Sequence, residues 1–236
     1  MPPGSAPDAA DSVVGPEGVD RIAAESLFRD RLPIAERYAA LLVGPGVERG
    51  LIGPREAPGI WSRHLLNCAV VAELLPQDAH AVDVGSGAGL PGLVLACVRP
   101  DVTIDLVEPL LRRAEFLTEA VDALALTDQV SVVRGRAEDF QVRDRVGPAR
   151  WVTARAVAPL DRLAGWCLPL LARGGDLLAI KGVRADIEVE QHRVTVARLG
   201  GRIDRIAQCG TGMVELPTRV VVIRRTAGSP GKGRHD

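Results

Sequence analysis

Aromatic residues are scarce in this chain, with three Phe, three Trp and one Tyr among 236 residues. Tyr38 is followed at the fourth position by Leu42, so a Tyr-x-x-x-Lys proton relay, as in nicotinamide-dependent reductases, is excluded. Lysine is rarer still: Lys181 and Lys232 are the whole supply, so phosphate or carboxylate recognition falls to arginine forks. Long hydrophobic runs are missing, and stretches such as Leu168 to Ala172 are far too short to span a bilayer. The first residues lack the basic start and apolar middle of a secretory signal, and a cytoplasmic location is expected, away from membranes. Cys68, Cys97, Cys167 and Cys209 are widely spaced without a C-x-x-C pair, which argues for buried free thiols and against a metal or redox site. A formal net charge of -1 gives the whole molecule no field for a polyanion and leaves only a local basic face for nucleic acid.

What is present reads as one α/β domain with a short extension. Hydrophobic residues make up 47% and charged residues 25%, a balance suited to a packed core in water. Residues 1–18, rich in Pro, Gly, Ala and Ser, form an expected disordered tail. Residues 19–76 form a helical extension: Val19 to Val43, with a break at Pro33, then Ser62 to Leu75, ended by Pro76. Arg63, His64 and Asn67 are expected on exposed first turns of that second helix.

Residues 77–225 alternate strand and helix. Strands are expected at Ala81–Val84, Val102–Val107, Val130–Val133, Trp151–Val157 and Asp176–Ile180, and helices at Leu90–Val98, Leu111–Leu124, Pro159–Ala172 and Arg184–Leu199. Strands Arg202–Ala207 and Arg219–Arg224 follow without an intervening helix and should pair antiparallel. This order implies right-handed crossovers and a mostly parallel Rossmann-like sheet whose last strand is antiparallel. Residues 226–236 form an expected flexible basic tail.

The organising stretch runs from Ala81 to Gly92. A β-branched run opens into Gly85, Gly87 and Gly89, and Pro91 is placed to start a helix. Glycines there let the backbone turn sharply and approach a ligand closely. Leu90 stands where the third glycine of a dinucleotide fingerprint would fall. Glu108 ends the second strand 21 residues after Gly87, where an acid accepts hydrogen bonds from ribose hydroxyls in doubly wound folds. Asp83, just before the glycines, is expected to orient the loop or the ligand's charged end. With Glu108 and the acids of Ala137-Glu138-Asp139 it gathers near one rim, which suits a cationic ligand better than a pyrophosphate. S-adenosylmethionine, with its sulfonium and ammonium, fits that pattern.

These segments resemble the first motif of class I methyltransferases. Arg63-His64-Leu65-Leu66, Gly89-Leu90-Pro91-Gly92, Arg99-Pro100, Arg136 to Phe140, Ala154-Arg155-Ala156-Val157-Ala158 and Ile180-Lys181-Gly182 together resemble the bacterial small-subunit ribosomal RNA methyltransferase G family. The likeness covers most of the chain from Trp61 to Arg225. It implies transfer of a methyl group from S-adenosylmethionine to N7 of guanine 527 (rRNA numbering) in the 530 loop of 16S rRNA. The donor would be contacted at Gly85, Leu90, Ala137, Glu138 and Arg155, with Glu108 matching the acid after the second strand. Asn67 departs from the family, many of whose members carry Asp there.

The implied mechanism needs no general base, because guanine N7 offers a lone pair and carries no proton. Alignment and desolvation would supply the rate. Consistently, the fourth strand is not followed by an Asn/Asp-Pro-Pro-aromatic motif, and Cys167 lies in an apolar helix instead of a Pro-Cys nucleophile motif. Arg155 is expected to anchor the donor and Lys181 to reach a phosphate or guanine O6, with a salt bridge to the acidic rim as the structural alternative for each. Arg63, His64 and Arg136 are further RNA-contact candidates. The expected partner is 16S rRNA within the 30S subunit or an assembly intermediate, met by a monomer. The competing readings are a methyltransferase acting on another RNA or a small-molecule acceptor, and a non-catalytic assembly factor that has kept the fold.

Overall fold

The computed structural model describes residues 15–226. Most of the expected N-terminal tail and nearly all of the C-terminal tail, Lys232 included, lie outside them.

The centre is a seven-stranded sheet. Its strands are β1 (His80–Val84), β2 (Thr103–Glu108), β3 (Val130–Arg134), β4 (Ala149–Arg155), β5 (Leu171–Lys181), β6 (Gly201–Cys209) and β7 (Thr218–Arg225), in the order β3-β2-β1-β4-β5-β7-β6. β1 to β5 are mutually parallel, while β7 runs antiparallel to both β5 and β6. The expected mixed sheet is therefore present, with the reversed strand inserted second from the edge. Helices cover both faces, as a parallel sheet requires. β7 shows why: Val220 and Val222 enter one core while Val221 and Ile223 enter the other, a buried β-branched run facing two ways.

One face packs under α1 (Gly18–Phe28), α2 (Leu32–Leu41), α3 (Leu66–Ala69), α4 (Gly92–Val98) and α5 (Leu111–Ala123). The other packs under α6 (Phe140–Val146), α7 (Leu160–Cys167) and α8 (Ala185–Arg198). All four cysteines are buried free thiols. Among the described residues no helix is long and apolar enough to cross a membrane, and no group of three His, Cys, Asp or Glu side chains could hold a metal.

Several boundaries differ from expectation for local reasons. The N-terminal helix breaks at Arg29–Arg31, where Arg29 takes a φ of 51°, and Pro33 sits in the first turn of α2, where proline is tolerated. The second helix is assembled from a π segment (Ile60–Leu65), α3 and a 3₁₀ segment (Val70–Leu74). Pro91 caps α4 from outside, with a cis bond to Leu90. β4 stops at Arg155 because Ala156 adopts a φ of 55°. α7 ends at Cys167 ahead of the turn containing Pro169, and β5 begins at Leu171, earlier than expected. Gly174 and Gly175 therefore lie within β5 at a bulge; a Cβ on Gly175 would meet the Arg150 carbonyl at 2.9 Å. α6, absent from the sequence reading, follows Asp139.

β1 lies between β2 and β4, so the chain reverses its order of addition there. The crevice above their C-terminal ends is where such sheets bind ligands.

Candidate active site

A cavity of about 560 Å³ opens at that crevice. Its floor is the loop after β1. Gly85 and Gly87 take φ of 71° and 59°, and the Gly85 and Ser86 amides both donate to the Val107 carbonyl, at 2.8 and 3.2 Å. The glycines do different work. A Cβ on Gly87 would meet only the Gly85 carbonyl, at 3.8 Å, so that residue opens onto the cavity. A Cβ on Gly89 would sit 2.6 Å from both Leu93 Cδ1 and Tyr38 Oη. Gly89 is thus a packing residue and does not line the cavity, contrary to its expected role as a donor contact.

Asp83 takes the loop-orienting role and not the ligand-facing one. It is fully buried beneath the loop; its Oδ1 accepts from Thr153 Oγ1 at 2.8 Å and its Oδ2 from the Gly92 amide at 3.3 Å. The parallel register pairs Asp83 with Thr153, which brings that hydroxyl to it. Burial raises the carboxyl to about 6, opposed by those hydrogen bonds and one from Ser86. Asp83 holds the loop on α4 and lies off the cavity wall.

Glu108 does face the cavity. It is almost wholly buried, with Oε2 accepting from the Gly87 amide and Oε1 from the Leu110 amide, both at 2.9 Å. Two backbone donors fix the carboxylate and leave its other lone pairs for a ligand. Ala137, Glu138 and Arg136 line the adjacent wall from the turn after β3, with Asp139 Oδ2 accepting from the Arg136 amide at 3.0 Å. Gly85, Gly87, Leu90, Glu108, Ala137, Glu138 and Arg155 thus meet around one space.

Arg155, at the end of β4, turns its guanidinium toward the N-terminal segment. Nη1 donates to Cys68 Sγ at 3.0 Å, and Nη2 reaches the Arg63 carbonyl at 3.2 Å and His64 Nδ1 at 2.9 Å. His64 is consequently buried at 7% exposure, not displayed on an exposed turn. Burial and the Arg155 charge push its pKa down, so the ring is neutral at pH 7. Asn67 is also tied inward: its amide donates to Thr218 Oγ1 at 2.7 Å, and that hydroxyl donates back to the Asn67 carbonyl at 2.8 Å. An ionised Asp could not make the first bond, which gives the amide a purpose here. Arg63 is exposed and off the cavity.

Lys181 does not line the cavity either. Its Nζ donates to Glu188 Oε1 at 2.7 Å and to the Ala158 carbonyl at 2.8 Å, while the same Glu188 oxygen accepts from the Leu160 amide at 2.7 Å. The pair clamps the turn between β4 and α7, so the expectation that Lys181 reaches a phosphate or guanine O6 does not fit its geometry. Its partner is an acid of α8, not of the rim.

Sequence reasoning missed two contributors. Tyr38 is fully buried and donates to the Ala88 carbonyl at 2.6 Å, securing the loop from α2. Glu56, from the loop before the π segment, joins His64 on the cavity wall. Gly53 and Pro54 place Glu56 in a loop, and nothing local shows where that loop folds.

The family model for rRNA small subunit methyltransferase G matches residues 31–216. This chain belongs to that family. The ribosomal RNA small subunit methyltransferase G of Salinispora arenicola is 59% identical over 206 residues, covering 86% of this chain and 85% of that protein. The enzyme of the same name from Mycolicibacterium smegmatis is 51% identical over 212 residues, covering 90% and 89%. Among solved structures, the pyocyanin biosynthetic protein PhzM superposes with a TM-score of 0.56 at 17% identity, over 80% of this chain and 61% of that one. The P. horikoshii TYW2 in complex with MeSAdo gives 0.53 at 15% identity, over 68% and 62%. At such identities these two likenesses speak for the fold, the Rossmann-like methyltransferase sheet.

Proposed function

We propose that the protein methylates N7 of guanine 527 in the 530 loop of 16S rRNA, using S-adenosylmethionine, on the 30S subunit or an assembly intermediate and as a monomer. Membership of the rRNA small subunit methyltransferase G family supports the rRNA substrate and the methyl transfer. The observation that carries the donor is Glu108, held by the Gly87 and Leu110 amides at the mouth of β2. A buried carboxylate of fixed orientation suits a ribose diol.

The cavity fits the donor by its chemistry. Gly87 offers bare backbone beside Glu108, Leu90 gives an apolar contact, and Glu138 adds negative charge on the adjacent wall. When bound, S-adenosylmethionine supplies an electrophilic methyl group on a sulfonium. The chain's own work is to orient and exclude water. Glu108 and the loop fix the nucleoside end, Ala137 and Glu138 bound the adjacent wall, and Arg155 holds the N-terminal segment over the crevice. Guanine N7 carries no proton, so no side chain has to remove one.

The test is methyl transfer from labelled S-adenosylmethionine to 30S particles lacking the modification, with the product mapped by chain cleavage at 7-methylguanine. A single site in the 530 loop is expected. Donor binding without transfer would instead favour the assembly-factor reading.

A further inference from the structure

Among the residues lining the cavity, the N-terminal segment sets a donor and an acceptor side by side. A guanidinium can only donate, so the 2.9 Å contact from Arg155 makes His64 Nδ1 the acceptor and puts the ring proton on Nε2. That Nε2 is buried and finds no hydrogen-bond partner among the described residues. A buried donor left unpaired is costly and calls for an explanation. Beside it, Glu56 Oε2 accepts from the Gly53 amide at 2.9 Å, which leaves Oε1 free at 3.8 Å from His64 Nε2. The two atoms are too far apart for a direct bond, yet close enough to engage neighbouring atoms of a single ring.

We infer that His64 and Glu56 read the Watson–Crick edge of the target base, with His64 Nε2–H donating to guanine O6 and Glu56 Oε1 accepting from N1–H. The assignment rests on the reading that guanine N7 is methylated. Adenine carries a bare N7 as well, so the chemistry at N7 cannot choose between the purines. The edge can. Adenine presents a donor at N6 and an acceptor at N1, which would set donor against donor and acceptor against acceptor. Leaving such groups unpaired is what gives polar sites their selectivity. O6 lies between N1 and N7 on the ring perimeter, so a grip on O6 and N1–H leaves N7 free to react. A base splayed out of its loop exposes this edge. Arg155 is then a positioning residue that fixes the imidazole tautomer, and the O6 contact expected of Lys181 falls to His64.

The test compares 30S particles reconstituted with guanosine, inosine or 2-aminopurine nucleoside at the target position. Inosine keeps O6 and N1–H; 2-aminopurine lacks both and keeps N7. Wild-type single-turnover rates should be similar on guanosine and inosine and about 100-fold lower on 2-aminopurine, roughly tenfold for each lost hydrogen bond. His64→Phe and Glu56→Leu should each slow guanosine about tenfold and leave 2-aminopurine nearly unchanged, so the ratio between them narrows to about 10. Donor affinity by calorimetry should hold, and His64→Gln, which keeps an N–H near the same place, should restore part of the ratio even if the Phe variant folds poorly. If wild-type product maps to N7 but both variants slow all three bases equally, the pair is structural and the assignment falls alone. If wild-type product does not map to guanine N7, the underlying reading falls and takes the assignment with it.

Discussion

The Tyr38 hydroxyl donates a 2.6 Å hydrogen bond to the Ala88 carbonyl, tying α2 to the middle of the glycine loop across 50 residues of sequence. The N-terminal segment is thereby part of the loop's support. Tyr38→Phe leaves that carbonyl unsatisfied in a fully buried place and should cost about 1–2 kcal/mol. It should also weaken donor binding about three- to tenfold, because the loop gains freedom that binding must remove. Urea denaturation and calorimetry with S-adenosylmethionine measure both; unchanged donor affinity would detach Tyr38 from the site.

Gly87 in that loop and Gly92 at the start of α4 should fail in opposite ways. In Gly92→Ala the new Cβ would fall 2.3 Å from Leu106 Cδ2 and 2.9 Å from Asp83 Oδ2, an overpacking that should cost about 1–3 kcal/mol. Gly87→Asp meets open space but puts a second carboxylate next to Glu108 and keeps a φ of 59°, at about 1 kcal/mol of backbone strain. Its melting temperature should stay near wild type while donor binding drops beyond detection. The reverse pattern would mean that Gly87, not Gly92, carries the packing.

Asp83 should leave a signature in the pH dependence of stability. Burial raises its folded pKa from 3.8 to about 6. The native state therefore holds this proton more tightly than the unfolded chain. The group's contribution is greatest below pH 3.8, declines as pH rises toward 6, and is flat above. The decline amounts to roughly 2–3 kcal/mol at 1.36 kcal/mol per unit. Asp83→Asn cannot ionise, so denaturation of both proteins from pH 4 to 7 should show the wild type losing ground to the variant by about that amount. A constant difference across the range would contradict the raised value.

Lys181→Met should behave as a stability variant. The Lys181–Glu188 pair is mostly buried, with side-chain exposures of 12% and 22%. Removing the ammonium strands Glu188 and loosens the Ala158–Leu160 turn, at about 1–3 kcal/mol. Well below the melting temperature, single-turnover methylation should stay within about threefold of wild type, since Lys181 is not among the residues that line the cavity. A loss of 100-fold or more in a folded variant would restore a substrate role.

The sheet, the glycine loop and the acid at the end of β2 are legible in the amino-acid order, because each depends on a local pattern. Alternating strand and helix signals specify a parallel sheet, and the distance from Gly87 to Glu108 is one βαβ step. What Arg155, His64, Lys181 and Glu56 do emerges only in the packed fold. Arg155 and His64 are 91 residues apart, and no periodicity announces that one fixes the tautomer of the other. His64 looked exposed because a helical wheel does not register the strand end that packs against it. Lys181 was expected at the rim on strand position alone, yet a carboxylate one helix later captured it. Local propensity fixes elements to within a few residues, whereas the partner of a buried polar group depends on which distant donor or acceptor the packed fold delivers.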